Sequence, residues 1–264
     1  MFHVLIQDSM SLTKNIILQG FRQLGIRSGD SFVMHSSLSS LGWVEGGAET
    51  VVEAMLESVS SGGTVFVPTM TFGIPFNPKV TVSRCGKITD VFRRRPDAIR
   101  SLSPTHSIAG IGPDAKRILD GHDRTLSFGP NGPDSPLGKL AMEGGSIMLL
   151  GVTHVNNTMI HIIQYLAELP LLDKWKDVEV FDDEGNTGIV KVYDPGCSEG
   201  FDNIEPFLTE KNAQKIIKIG NTQVRYMKAS DVINIGIEAV RKNPRLLLCN
   251  RPDCIFCNYT RKNT

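Results

Sequence analysis

Three short apolar runs constrain this chain more than any other feature. Ser31-Phe-Val-Met-His35, Gly63-Thr-Val-Phe-Val67 and Ser146-Ile-Met-Leu-Leu-Gly151 are each five or six residues long. Runs of that length, bounded by turn residues, form buried strands and are too short for helices. Around them the apolar spacing is helical. Ile16, Ile17, Phe21 and Leu24 follow Ser11 and Thr13 and stop at Gly25, and Glu49 to Val59 lies between the first two runs. Further helices are expected at Ile88 to Arg95, ended by Pro96, at Pro113 to Leu119, and from Thr158 to Glu168. Beyond Pro170 the pattern changes to hairpins. One covers Asp177 to Tyr193 around Asp182 to Asn186, and one covers Ile216 to Met227, turning at Gly220-Asn221. Ser230 and Asp231 then cap a last helix reaching Lys242. The expected fold class is α/β, a central mixed sheet with helices on both faces followed by a C-terminal α+β section. No repeat or low-complexity linker breaks the chain, so a single unit is expected over 1–264, with a core at 10–170, the α+β section at 171–245 and a tail at 246–264.

A chain of 264 residues buries enough surface to fold without disulfides or a metal. Its 28 Lys and Arg balance 28 Asp and Glu, which disfavours a nucleic-acid partner. The balance hides a split, because residues from Glu205 onward sum to +6 and residues 1–204 to −6. No run approaches the ~18 apolar residues of a membrane span, and MFHVLIQDSM lacks the basic and apolar regions of a signal peptide, so a cytoplasmic protein without a membrane partner is expected.

Chemistry could sit in four places. Met34-His-Ser-Ser-Leu-Ser-Ser-Leu-Gly42 sets four serines just past a strand end, where ligands of open α/β sheets bind, although such a loop can also merely cap the next helix. In Asn157-Thr-Met-Ile-His-Ile-Ile-Gln164, the helical period places Thr158, His161 and Gln164 on one face. Histidine can take a proton near neutral pH and a hydroxyl one turn earlier can donate to a developing oxyanion, but a helical histidine also serves structurally, and this segment leaves both roles open. Arg100-Ser-Leu-Ser-Pro-Thr-His-Ser107 gathers an arginine, a histidine and hydroxyls in a proline-containing loop. Gly110-Ile-Gly-Pro-Asp-Ala115 matches a dinucleotide-binding pattern, yet only Ser107-Ile-Ala precedes it and Pro113 alters the turn, so a helix entry without a nucleotide fits better. The chain has no G-x-S-x-G, H-E-x-x-H or G-x-x-x-x-G-K-[ST], which removes support for esterase, zincin and P-loop chemistry. Of the five cysteines, Cys85 and Cys197 are isolated and Cys249, Cys254 and Cys257 are spaced C-x4-C-x2-C. Reduced unligated thiols, a structural zinc with a fourth ligand from elsewhere, and the plant-ferredoxin spacing are all compatible with that tail.

The ordered set of segments resembles the aminoglycoside 3-N-acetyltransferase family, antibiotic acetyltransferases distinct in fold from the GNAT enzymes. The resemblance rests on Gly29-Asp30 with Val33 to Gly42, Gly63 to Thr69, Arg100-Ser with Pro104-Thr-His-Ser107, Gly112 to Ala115, Ser135-Pro with Lys139-Leu140, Leu149 to Val152, Asn157-Thr with His161, and Pro195-Gly-Cys-Ser with Phe201 and Ile204-Glu-Pro206. It covers roughly residues 10 to 240, in the family's order.

The resemblance implies an α/β/α sandwich that binds acetyl-CoA and moves the acetyl group directly to an amine. It implies cofactor contacts from His35, Ser36, Ser37, Leu38, Ser39, Ser40, Thr69, His106 and Ser107, with His161 as general base and Thr158 as oxyanion donor. The family carries a glutamate three residues after this histidine, and this chain has Gln164, which can orient the ring but supplies no charge. The expected partners are coenzyme A and a small amine acceptor, preferably an amino sugar, and a homodimer is compatible with the sequence. The alternative is a catalytically impaired CoA-binding or assembly protein of the same fold. A zinc-tailed nucleic-acid adaptor would rest on the basic, cysteine-bearing end alone, with Cys249, Cys254 and Cys257 as its ligands.

Overall fold

Each strand and helix expected before Pro170 forms in the computed structural model, which describes residues 11–60, 62–122, 131–181 and 185–264. The elements are α1 (Lys14–Leu24), β1 (Ser31–Ser36), α2 (Gly47–Val59), β2 (Thr64–Pro68), α3 (Lys87–Arg93), β3 (Ile99–Arg100), β4 (Ile108–Ile111), α4 (Ala115–Leu119), α5 (Pro136–Met142), β5 (Ser146–Leu150) and α6 (Ile160–Leu166). After them come β6 (Trp175–Phe181), β7 (Thr187–Tyr193), α7 (Glu205–Glu210), β8 (Gln214–Ile219), β9 (Thr222–Lys228), α8 (Ala229–Lys242) and α9 (Ile255–Asn263). The Thr13 hydroxyl caps α1 by accepting from the Ile16 amide, and Gly25 closes it at φ 98°, the left-handed conformation that glycine adopts without strain.

The three apolar runs become β1, β2 and β5, which lie side by side and parallel, with β1 in the middle. Their side chains alternate between faces, as the period of two requires. Phe32, Met34, Val65, Val67, Met148 and Leu150 point into one apolar core under α1, α2 and α3, whereas Val33, Phe66, Ile147 and Leu149 point into a second under α4, α5, α6 and α8. Burial on both faces explains why these strands read as continuous apolar runs. Antiparallel strands close the sheet on both sides, giving the order β3-β4-β2-β1-β5-β9-β8.

One departure from the sequence expectation matters. The second hairpin is not an appendage: β9 pairs with β5 from Ser146↔Lys228 to Leu150↔Val224 and carries β8 with it, supplying ladder partners to a strand with every residue buried. Only the first hairpin, β6-β7, stands apart. It is tied to the core by Phe76, whose amide donates to Glu179 O at 2.8 Å and whose carbonyl accepts from the Phe181 amide at 2.9 Å. The tip residues Asp182, Asp183 and Glu184 lie outside the described residues. The glycine pattern at Gly110 runs from β4 into α4, the helix entry expected, and β4 is antiparallel to β2. A dinucleotide fold requires that pattern to follow a strand of a parallel βαβ unit, so the topology excludes it.

Candidate active site

The carboxyl ends of β1, β2 and β5 open into a cleft of about 980 Å³, the position where open α/β sheets bind ligands. One wall is the serine-rich loop after β1. There His35, Ser36, Ser37, Leu38 and Ser39 line the cleft, and Ser37 and Ser39 pair through their hydroxyls at 3.2 Å. His35 Nε2 and Ser36 Oγ are buried without a hydrogen-bond partner among the described residues. Gly151, at the end of β5 with φ 69°, lets this loop approach, since a Cβ there would meet Ser40 Oγ. Ser40 itself donates to Ser37 O at 2.8 Å and does not line the cleft.

The opposite wall is built by the turn after β5 and the start of α6. Asn157 is fully buried, contacts His154 Nδ1 through its amide at 3.3 Å and accepts from the Met159 amide at 3.3 Å, which fixes the turn into α6. Thr158 and His161 both face the cleft from that turn. His161 Nδ1 lies 2.8 Å from Gln164 Oε1. Because the amide oxygen only accepts, Nδ1 carries the hydrogen and the Nε2 lone pair is left for chemistry. Burial pushes the ring's pKa down to about 4, opposed by the Gln164 hydrogen bond and the Asp194 charge, so His161 is neutral at neutral pH. The Phe201 ring packs edge-on at 4.9 Å. Gln164 sits behind the histidine and does not itself reach the cleft.

Thr158 Oγ1 is buried without a hydrogen-bond partner among the described residues, beside a histidine that can accept a proton. An orphan hydroxyl contributes little to stability, whereas one oxyanion donor is worth about 10²- to 10³-fold in kcat. On the expected role of Thr158 as oxyanion donor, Thr158→Val leaves the melting temperature unchanged or raised while kcat falls by that order. A variant that lost stability and kept kcat would remove the role.

His106 lines the cleft beside Phe72, with Nδ1 at 2.8 Å from Thr105 Oγ1, and burial, then the repulsion that a proton on both it and His161 would bring, holds it well below its usual pKa. Thr69 and Ser107 are placed differently from the sequence expectation. Both are completely enclosed, bond each other at 3.0 Å, and each accepts from Arg100 Nε at 3.1 Å. Arg100 donates onward to Thr81 O at 2.5 Å and Thr69 O at 2.7 Å and stacks over Phe76 at 5.1 Å. This cluster pins the segment that delivers Arg84, Cys85 and Lys87 to the cleft, so Thr69 and Ser107 support the wall from outside it. Sequence reading missed Arg84, Lys87, Lys176 on β6, and Asp194 and Ser198 beyond β7. Ser198 ends the Pro195-Gly-Cys-Ser motif, a signal for that segment; the others are brought in by long-range packing of loops and a separate hairpin. Lys176 Nζ and Asp194 Oδ2 lie 3.7 Å apart.

The sequence model of the aminoglycoside 3-N-acetyltransferase family matches residues 33–241, which includes all the cleft walls. The chain belongs to that family. Among its relatives, aminoglycoside N(3)-acetyltransferase IV of Salmonella sp is 27% identical over 230 residues, covering 85% of this chain and 86% of that protein. The apoenzyme of aminoglycoside acetyltransferase AAC(3)-IVa superposes with a TM-score of 0.85 at 26% identity, covering 96% of this chain and 98% of the other. A mutant of it in complex with a gentamicin superposes at 0.84 over the same shares. AAC-IIIb, solved as a binary complex with CoASH, shares the fold at a TM-score of 0.77 and 22% identity, covering 87% of this chain and 96% of that one. As an aminoglycoside 3-N-acetyltransferase family member, the protein is an N-acetyltransferase of the α/β class described above. Among the described residues of this acetyltransferase, no helix is long and apolar enough to cross a membrane.

Proposed function

We propose that this family member acts in the cytoplasm and transfers the acetyl group of acetyl-CoA directly to an amino group of an amino sugar or aminoglycoside-like acceptor, with His161 as general base. The observation that carries this reading is a neutral, cleft-facing imidazole whose Nδ1 is held by Gln164, next to the unpartnered Thr158 hydroxyl. Acetyl-CoA fits the remaining donors. The unpaired His35 Nε2 and Ser36 Oγ, with Ser37 and Ser39, suit the amides and oxygens of a pantetheine arm, and the Arg84 and Lys87 charges suit its phosphates. When bound, the cofactor supplies an activated thioester carbonyl.

In this reading His161 Nε2 takes the proton released as the amine nitrogen bonds to that carbonyl carbon. The Thr158 hydroxyl donates to the carbonyl oxygen as it gains charge, and the C–S bond breaks to release coenzyme A as a thiolate, which takes the proton back from His161. Cys85 also lines the cleft, but burial pushes its thiol up to about 11, which favours the unreactive protonated form and supports direct transfer over an acetylated cysteine. Asp194 is the one carboxylate lining the cleft among the described residues, placed to receive a protonated acceptor. The test is release of free coenzyme A thiol against a panel of amino sugars and aminoglycosides. The expected result is thiol released in step with acetylated amine. Tight CoA binding with no thiol release from any acceptor would instead favour the impaired CoA-binding protein.

A further inference from the structure

Four of the five cysteines converge from distant parts of the chain. Cys197 Sγ joins those of Cys249, Cys254 and Cys257, with all four sulfurs within 4.8 Å of one another. We propose that these four side chains form a tetrahedral thiolate site for one structural zinc ion, which fastens the C-terminal tail to the loop that walls the acetyl-transfer cleft.

The geometry suits a single ion. Zn–S bonds of about 2.3 Å in a tetrahedron hold sulfurs roughly 3.8 Å apart, so the observed cradle needs only a small contraction. A cluster of several irons would spread its cysteines farther, because each sulfur sits outboard of its own metal. All four sulfurs are mutually close, which is the arrangement of a shared ion. Backbone amides already point at two of them: Cys249 N–H donates to Cys257 Sγ at 3.4 Å and Glu199 N–H to Cys197 Sγ at 3.5 Å, the kind of outer-shell donor that steadies metal-bound thiolates. Cys249, Cys254 and Cys257 are buried, with Phe256 packed beside them. Ligation exchanges four thiol protons for one Zn²⁺, leaving a dianionic centre and no change of oxidation state.

The ion would sit at a join. Asp194, Gly196 and Ser198 line the cleft on either side of Cys197, while the other three ligands come from the tail before and within α9. The two segments already touch: a Cβ at Gly200 would meet Leu247 O at 2.5 Å, and Arg251 pairs with Glu199 at 2.8 Å.

The test is the metal content of full-length protein produced in zinc-supplemented medium, with thiol titration before and after denaturation in chelator. About one zinc per chain is expected, with four thiols becoming reactive only after chelation. Replacing zinc with Co²⁺ should give the absorption of a tetrahedral tetrathiolate, a readout on wild-type protein that does not depend on any variant folding. Cys197→Ser should lose most of the metal and Cys85→Ser should keep it. Zinc-free protein with all thiols reactive, bound iron, a mass four hydrogens short from two disulfides, or full zinc retention by Cys197→Ser would each overturn the assignment. None of these readouts depends on acetyl transfer, so a failure here leaves the proposed enzyme activity standing.

Discussion

Replacing His161 with alanine is expected to lower kcat/KM for acetyl transfer by about 10²- to 10⁴-fold while CoA affinity stays within a few-fold of wild type. An amine is protonated at neutral pH and must shed a proton to become an amide nitrogen, and in the proposed mechanism Nε2 of His161, unprotonated and with its tautomer fixed by Gln164, accepts it. The ring is buried against Phe201 and holds Gln164, so its removal also leaves a cavity and an unpaired amide oxygen. His161→Asn retains part of the volume and keeps a polar group at the site, and it should show the same kinetic loss with a smaller loss of stability. Steady-state rates together with calorimetric CoA binding separate the two effects. If either variant, folded and binding CoA, kept wild-type kcat, His161 would not be the base.

The second large effect is on pH dependence. Gln164→Glu places a carboxylate at the distance of the present 2.8 Å contact, which favours the protonated imidazole and should raise its pKa by about 1–3 units. The sign follows from the proposed base role, in which His161 works only when unprotonated. In the wild type, burial holds the pKa at about 4, so this group limits kcat/KM only in strong acid. In the variant the acid limb should move up toward about pH 5–7, with a modest gain above it from the stronger base. An unmoved limb would show that another group titrates there. A gain of several orders of magnitude at about pH 8 would mark the wild-type site as impaired and favour the assembly-protein alternative. The same depressed pKa bears on stability. The unfolded ring takes a proton below about 6.5 and the folded one only near 4, so stability should fall as pH drops through that window, and buried His35, also held near 4, adds to the fall.

Much of the site was legible because it is local. Thr158, His161 and Gln164 lie within two helical turns of one another, and the serine loop directly follows a strand, so short-range periodicity and the end-of-strand rule place them. Ser40, Thr69 and Ser107 have the right chemistry in the right segments, but their direction depends on partners far along the chain. Arg100 reaches Thr69 across 31 positions. Alternation cannot report on that.

The sequence by itself determined that β1, β2 and β5 are buried strands, because strands covered on both faces must be apolar throughout, and it determined which segment carries the histidine and its hydroxyl. Tertiary structure alone decided which strands complete the sheet, which lysine, arginine and aspartate reach the cleft, and that Cys197 meets three cysteines from the far end of the chain. Those outcomes rest on ladder pairing and loop packing between distant segments, and a local pattern carries no record of which distant segment will return to meet it.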